Sequence, residues 1–291
     1  MLQALVSVLA PVAITAGLGF TWARARLDFD TMLVSRLVMN IGSPALVFSG
    51  LTKVSSEGTL FITLVTAAGL SLAIIILANI LTVSALRLPL GKYLHPITFP
   101  NWGNLGLPLC LFAFGDTGLS YAIAFFVVAS VTQFTLGVVI ASGTFKPGFI
   151  LRMPTIYAVL FALLFLWSGI KPPEWLLNTT ELLGSMMIPL MLLSLGVSLS
   201  ELRLTRLKAM LPFAVYRYLL GLGVGFGVAA LFGFEGAARG VVIIQCSMPV
   251  AIFNYLLSVR YGGLQEHAAS MVVLSTLISA GALPFLLPFL L

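Results

Sequence analysis

Asn101 and Asn104 stand three residues apart in a stretch that also holds Pro100, Gly103, Gly106 and Pro108. Side-chain amides both donate and accept hydrogen bonds. Such a pair can hold a carboxylate, or it can satisfy the peptide groups that a broken helix leaves free. Both chemistries are open for each asparagine. A second stretch, Gln245-Cys246-Ser247-Met248-Pro249, sets an amide and a hydroxyl before another proline. Gln245 and Ser247 are therefore read as counterparts of the asparagine pair. Gln133 is the one strongly polar side chain in the apolar run Leu119–Phe145. It either reaches the asparagine stretch or serves as a hydrogen bond between helices. Other chemistries are missing. Cys110 and Cys246 lie in apolar runs, with neither a disulfide framework nor zinc-ligand spacing. No Ser/His or paired-Asp arrangement is placed for nucleophilic catalysis. The expectation is no metal, no cofactor and no enzyme.

The elements that must position these groups follow from composition. The chain has 291 residues, 60% hydrophobic and 8% charged, with a mean hydropathy of +1.12. Soluble domains carry about 25% charged residues, so a soluble enzyme or nucleic-acid binder is excluded and the bilayer is the expected partner. Spans of about 20 apolar residues cross a membrane. Ten runs qualify: Leu2–Ala23, Leu37–Thr52, Thr59–Leu86, Pro96–Gly115, Leu119–Phe145, Pro154–Ile170, Leu182–Ser200, Leu211–Phe234, Gly240–Val259 and Ala268–Leu291. The first has no basic residue before it, unlike a secretory signal. Eleven of the 15 cations fall in the connections after odd-numbered runs: Arg24, Arg26, Arg36, Arg87, Lys92, Lys146, Arg152, Arg203, Arg206, Lys208 and Arg260. Positive loops stay inside, which predicts both termini outside an inner (plasma) membrane.

Ten runs divide into two fives. Pro44 in the second run and Pro189 in the seventh are 145 residues apart, and Pro108 and Pro249 in the fourth and ninth are 141 apart. An odd number of spans per unit turns the second copy upside down, so the expected architecture is an all-α inverted repeat, 1–145 and 146–291. Paired interrupted spans in matching halves point to a binding site near the membrane midplane. Unwound backbone is tolerated there only where it lines protein or a watery cavity. Helix amino ends aimed at such a site favour an anion. The backbone expected to form it comprises Gly103, Gly106, Pro108, Met248 and Pro249.

The element Pro100-Asn101-Trp102-Gly103-Asn104-Leu105-Gly106-Leu107-Pro108-Leu109 resembles one found in the auxin efflux carrier family, which includes plant carriers and relatives described as malonate or malate permeases. Arg239-Gly240, Gln245-Cys246-Ser247-Met248-Pro249 and Arg260-Tyr261-Gly262 are similar to its ninth span. Met39-Asn40-Ile41-Gly42-Ser43-Pro44 and Leu192-Leu193-Ser194-Leu195-Gly196 also resemble its members. The resemblance covers nearly the whole chain. It implies crossed broken helices 4 and 9, a scaffold domain moving against a transport domain, and a carboxylate substrate contacted by Asn101. It also implies a compact bacterial form, since only Lys146 to Met153 stand where plant members carry a long loop. A homodimer is left open as an assembly.

Other polar residues are assigned structural parts. Asn79 is read as a packing hydrogen bond, Arg217 as snorkelling to the cytoplasmic surface, and His95 and His267 as loop residues without a ligand role. Glu181 reads as solvated and Asp116 as a loop residue. Runs four, five and nine hold no Asp or Glu. The leading expectation is thus a carrier of small organic anions such as malonate, malate or auxin-like acids, working by alternating access. A sodium-coupled symporter of the bile-acid type is the alternative on the same fold. A receptor or intramembrane enzyme is the alternative from another class.

Overall fold

The computed structural model describes residues 2–53, 58–144, 153–202 and 205–291. Lys146, Arg152 and Arg203, three of the cations used to orient the chain, lie outside them. The described chain is helical: α1 (Leu2–Arg24), α2 (Thr31–Leu37), α3 (Ser43–Lys53), α4 (Gly58–Ala85), α5 (Leu90–Thr98), α6 (Leu107–Thr132), α7 (Val138–Ser142), α8 (Pro154–Ser168), α9 (Glu174–Ser185), α10 (Met187–Glu201), α11 (Leu207–Leu231), α12 (Gly236–Ser247), α13 (Ile252–Arg260) and α14 (Gln265–Leu286). Wide, π-type turns at Val38–Gly42, Trp102–Gly106 and Gln133–Gly137 join α2 to α3, lead into α6, and join α6 to α7.

Long helices apolar on every face, such as α4, are stable only where the surroundings are also apolar. The exterior meets that condition. Phe285 and Phe289 are 75% and 78% exposed, and Leu164, Leu182, Leu231 and Trp167 also face outward. Among the described residues, seven helical stretches are long and apolar enough to cross a membrane, and Pro154–Ser168 is apolar but shorter. The count differs from ten for a structural reason. Two of the expected runs are broken into short helices, α5 before α6 and α12 before α13. The fourth run also continues into the fifth as one 41-residue stretch, Trp102–Ser142, which bends at Gly115. There φ is 65° and ψ −156°, in a region open to glycine and closed to side chains. No atom within 4 Å would meet a Cβ at that position, so the requirement is conformational rather than steric.

Two groups of helices pack side by side. In the first, α1 lies against α10, and α3 lies against α8 and α9. The approach is backbone to backbone. A Cβ on Gly19 would overlap the Leu193 carbonyl, and one on Gly196 the Ala16 carbonyl. A Cβ on Gly184 would come within 2.8 Å of Leu46 Cα. Small residues let membrane helices approach this closely. Pro44 and Pro189 stand in the first turns of α3 and α10, and the wide turn Val38–Gly42 that runs into α3 absorbs the N–H missing at Pro44. The second group is α4, α5, α6 and α11 to α14, with α12 wedged against α6 and α11.

Candidate functional site

The second group contains the two breaks, and they meet. Residues 99–101 and 248–251 leave the helical conformation and pair as a single antiparallel bridge, Pro100 opposite Val250. The Asn101 N–H donates to the Pro249 carbonyl at 2.7 Å, and the Ala251 N–H to the Phe99 carbonyl at 2.9 Å. Val250 N–H donates to Ser275 Oγ of α14 at 3.1 Å, and Met248 N–H to the Gln245 carbonyl at 3.2 Å. Prolines occupy the positions that have no N–H to give. Burying peptide groups in a membrane protein demands partners of this kind.

Asn101 ends the extended segment. Its Oδ1 accepts from the Asn104 N–H at 3.1 Å, so it caps the wide turn that opens the next helix. Its Nδ2 has no partner among the described residues, although Asn101 is only 4% exposed. One end of the side chain therefore patches the backbone, while the other holds two buried donors in reserve. Asn104 is half-buried, and its side chain makes no hydrogen bond among the described residues. Trp102 beside it is fully buried, edge-on to Phe125 at 4.9 Å, and anchors the start of the wide turn.

Gln245 closes the floor. Its amide lies against Gly106, where a Cβ would overlap it, and its Nε2 reaches Cys110 Sγ at 3.8 Å. Its Oε1 is buried and unpartnered. Gly103 lies over Phe126 and Met191, the latter on α10 of the neighbouring helix group. The Asn101 region thus sits close to where the two groups of helices meet. Met248 is buried in the extended segment.

Three expected members take other places. Ser247 donates to the Ile244 carbonyl of its own helix at 2.9 Å. Gln133 does not reach the asparagine stretch directly. Its Nε2 donates to Asn254 Oδ1 of α13 at 3.1 Å, and Asn254 Nδ2 donates to the Phe99 carbonyl at 3.2 Å. Gln133 thus braces the break through an intermediary. Pro108 stands second in α6 in helical backbone, and the extended proline is Pro100. The wide turn before Pro108 shifts the hydrogen-bond register, with Gly106 N–H returning five residues to the Asn101 carbonyl at 3.1 Å, and so accommodates the ring without unwinding. The proline of the fourth run that lies in the paired segment is therefore Pro100 rather than Pro108.

Two structural readings also change. Arg217 does not snorkel; it is 1% exposed, and its Nη1 donates to the Cys246 carbonyl at 3.4 Å. Neither histidine is a loop residue, because α5 begins at Leu90 and buries His95, and α14 begins at Gln265 and holds His267 in its first turn. Asn79 does make the packing bond expected of it, to the Ile97 carbonyl at 3.4 Å and Thr98 Oγ1 at 3.3 Å. Sequence reasoning missed Asn254. Its signal was an amide five residues beyond Pro249 in an apolar run.

A family described as membrane transport protein matches residues 5–148 and 149–287, which together span nearly the whole chain. The chain belongs to this auxin efflux carrier-like membrane transport family. An uncharacterized transporter of Methanocaldococcus jannaschii is 25% identical over 276 residues, covering 85% of each chain. Another, of Methanothermobacter thermautotrophicus, is 26% identical over 269 residues, covering 88% of this chain and 87% of the relative. Membership of a multi-pass transporter family agrees with the apolar exterior and the helices long enough to cross a bilayer.

Proposed function

We infer that the protein is a secondary transporter of small organic anions, carboxylates such as malonate, malate or auxin-like acids. Substrate binds beside the paired breaks, and access alternates as the α4–α6/α11–α14 group moves against the α1/α3/α8–α10 group. The observation that carries this reading is Asn101, whose buried Nδ2 has no partner at the amino end of a helix. Helix amino ends favour negative charge, and an amide donor beside one completes a carboxylate-binding set. The Ile252 end of α13 begins at the same paired segments, so a second amino end lies nearby. Asn104, half-buried on the first turn, is the next donor in line; Gln245 and Gly106 shape the floor. The approach of Gly103 to Met191 of the neighbouring group supports a seam beside this region that sliding would open or close.

In this reading, each half of the chain, 1–145 and 146–291, contributes one broken span to a ten-span inverted repeat with the breaks crossing at mid-membrane. Supporting it are the matched placing of Pro44 and Pro189 in helix first turns and the reciprocal bonds between residues 99–101 and 248–251. The protein resides in the inner (plasma) membrane with both termini outside, as the loop cations predict. A screen of mono- and dicarboxylates for thermal stabilisation of the purified protein tests the substrate class. At least one carboxylate should raise the unfolding midpoint, and Asn101→Ala should lose that response.

A further inference from the structure

A helix that stops inside a membrane leaves its last four carbonyls without intrahelical partners, with the negative end of its dipole among them. In transporters with broken helices, such ends are where coupling cations are coordinated. The end of α12 has a donor for each of the four. The Ile244 carbonyl accepts from Ser247 Oγ at 2.9 Å and the Gln245 carbonyl from Met248 N–H at 3.2 Å. The Cys246 carbonyl accepts from Arg217 Nη1 at 3.4 Å and the Ser247 carbonyl from Ser279 Oγ at 3.3 Å.

The third donor is unlike the others. Guanidinium stays protonated in proteins, so Arg217 brings a full positive charge to this end from the neighbouring helix α11. The described residues offer it no carboxylate partner; the ion pair among them is Arg206 with Glu266, on the surface. Its Nε and Nη2 have no hydrogen-bond partner among the described residues. Gly221, one turn along α11, makes room for the contact. A Cβ there would overlap the Cys246 carbonyl and lie 2.8 Å from Arg217 Nη1. The corresponding end of α5 is treated differently. Its next-to-last carbonyl, Ile97, accepts at the same 3.4 Å from Asn79, a neutral amide on the preceding helix α4. One break is thus capped by an amide and the other by a fixed cation.

We propose that Arg217 is a tethered cation occupying the place of a coupling ion at the end of α12, so that the site needs no sodium. This rests on the transporter reading above for its meaning in transport. Arg217 acts as a positioning residue, because it holds the end of α12 and through it Gln245 and the paired segments. It also replaces the ion-coordination chemistry that the bile-acid type of symport would require here.

The test is thermal unfolding of the purified protein in sodium chloride and in choline chloride at equal ionic strength. Wild type should unfold at the same temperature in both. Arg217→Ala should unfold several degrees lower in choline and recover toward wild type when millimolar guanidinium or sodium is added, whereas Arg217→Lys should keep most of the stability. Specific stabilisation of wild type by sodium would overturn the proposal. So would an Arg217→Ala protein as stable as wild type, or one whose loss neither cation repairs. If Arg217→Ala does not accumulate, Arg217→Gln, which keeps a donor but not the charge, is judged by the same criteria. None of these readouts needs a substrate. A failure of the transporter reading shows separately, as an absence of carboxylate transport by wild type.

Discussion

Asn101 divides its side chain between two tasks, and the division can be tested. Truncation to Ala removes a donor to a charged ligand, an interaction worth about 1.5–3 kcal/mol. Carboxylate affinity should therefore fall about ten- to a hundredfold, measured by ligand-dependent thermal shift. Affinity unchanged in a folded variant would leave Asn101 as a helix cap alone. Asn254 offers a contrasting case. It links Gln133 Nε2 to the Phe99 carbonyl, and replacing it with Leu leaves a buried amide without its acceptor, at a cost of about 1–3 kcal/mol. The Asn254→Leu protein should unfold at a lower temperature, and an unchanged midpoint would remove its bracing role. Residue types were legible here because an amide in an apolar run stands out. Partners were not. Nothing in the spacing of Gln133 tells that it faces a helix 121 residues away in sequence, and Arg217 looked close enough to an end to snorkel until the packing of α11 on α12 enclosed it.

At the scale of elements, the interruption of the fourth and ninth apolar runs could be read from their prolines and glycines, but its centre could not. Pro100 and Pro108 both lie in the fourth run, and local propensity treats them alike. The deciding factor is long-range. Pro100 lies where a second chain segment supplies backbone partners on either side, while Pro108 follows a wide turn that absorbs it. Pro108→Ala should consequently leave transport near the wild-type rate. Pro249→Ala restores an N–H and frees φ, so α12 can extend by a residue and disturb the acceptor for Asn101 N–H; transport should fall while the protein still inserts. A Pro249→Ala rate equal to wild type would show that the break after α12 does not depend on its proline. The contact between α1 and α10 carries a separate expectation. Gly196→Leu forces side-chain atoms into the Ala16 carbonyl and Phe20 N and should cost at least about 1–3 kcal/mol, as overpacking does. A lower yield of folded protein, or a lower unfolding midpoint, is the readout.

The whole molecule is an apolar-surfaced helical body with a small polar seam. Its membrane character and its family were both legible, the first from composition and the second from the motif around Asn101 and the run before Pro249. The number of separate helices was not, because apolar runs say nothing of where a helix breaks or where two runs fuse through a bend such as Gly115. Electrostatics at this scale sets direction. Moving one negative charge across the membrane is worth about 2.3 kcal/mol per 100 mV, so a negative interior favours anion export, and a fixed Arg217 removes the need for sodium at α12. Charge movement in proteoliposomes, recorded for a panel of carboxylates with sodium replaced by choline, tests the central claim most directly. At least one carboxylate should evoke a current that persists without sodium and falls at least tenfold at sub-saturating substrate in Asn101→Ala. If no carboxylate moves charge, or if the current is the same in Asn101→Ala, the organic-anion site at the paired breaks is contradicted.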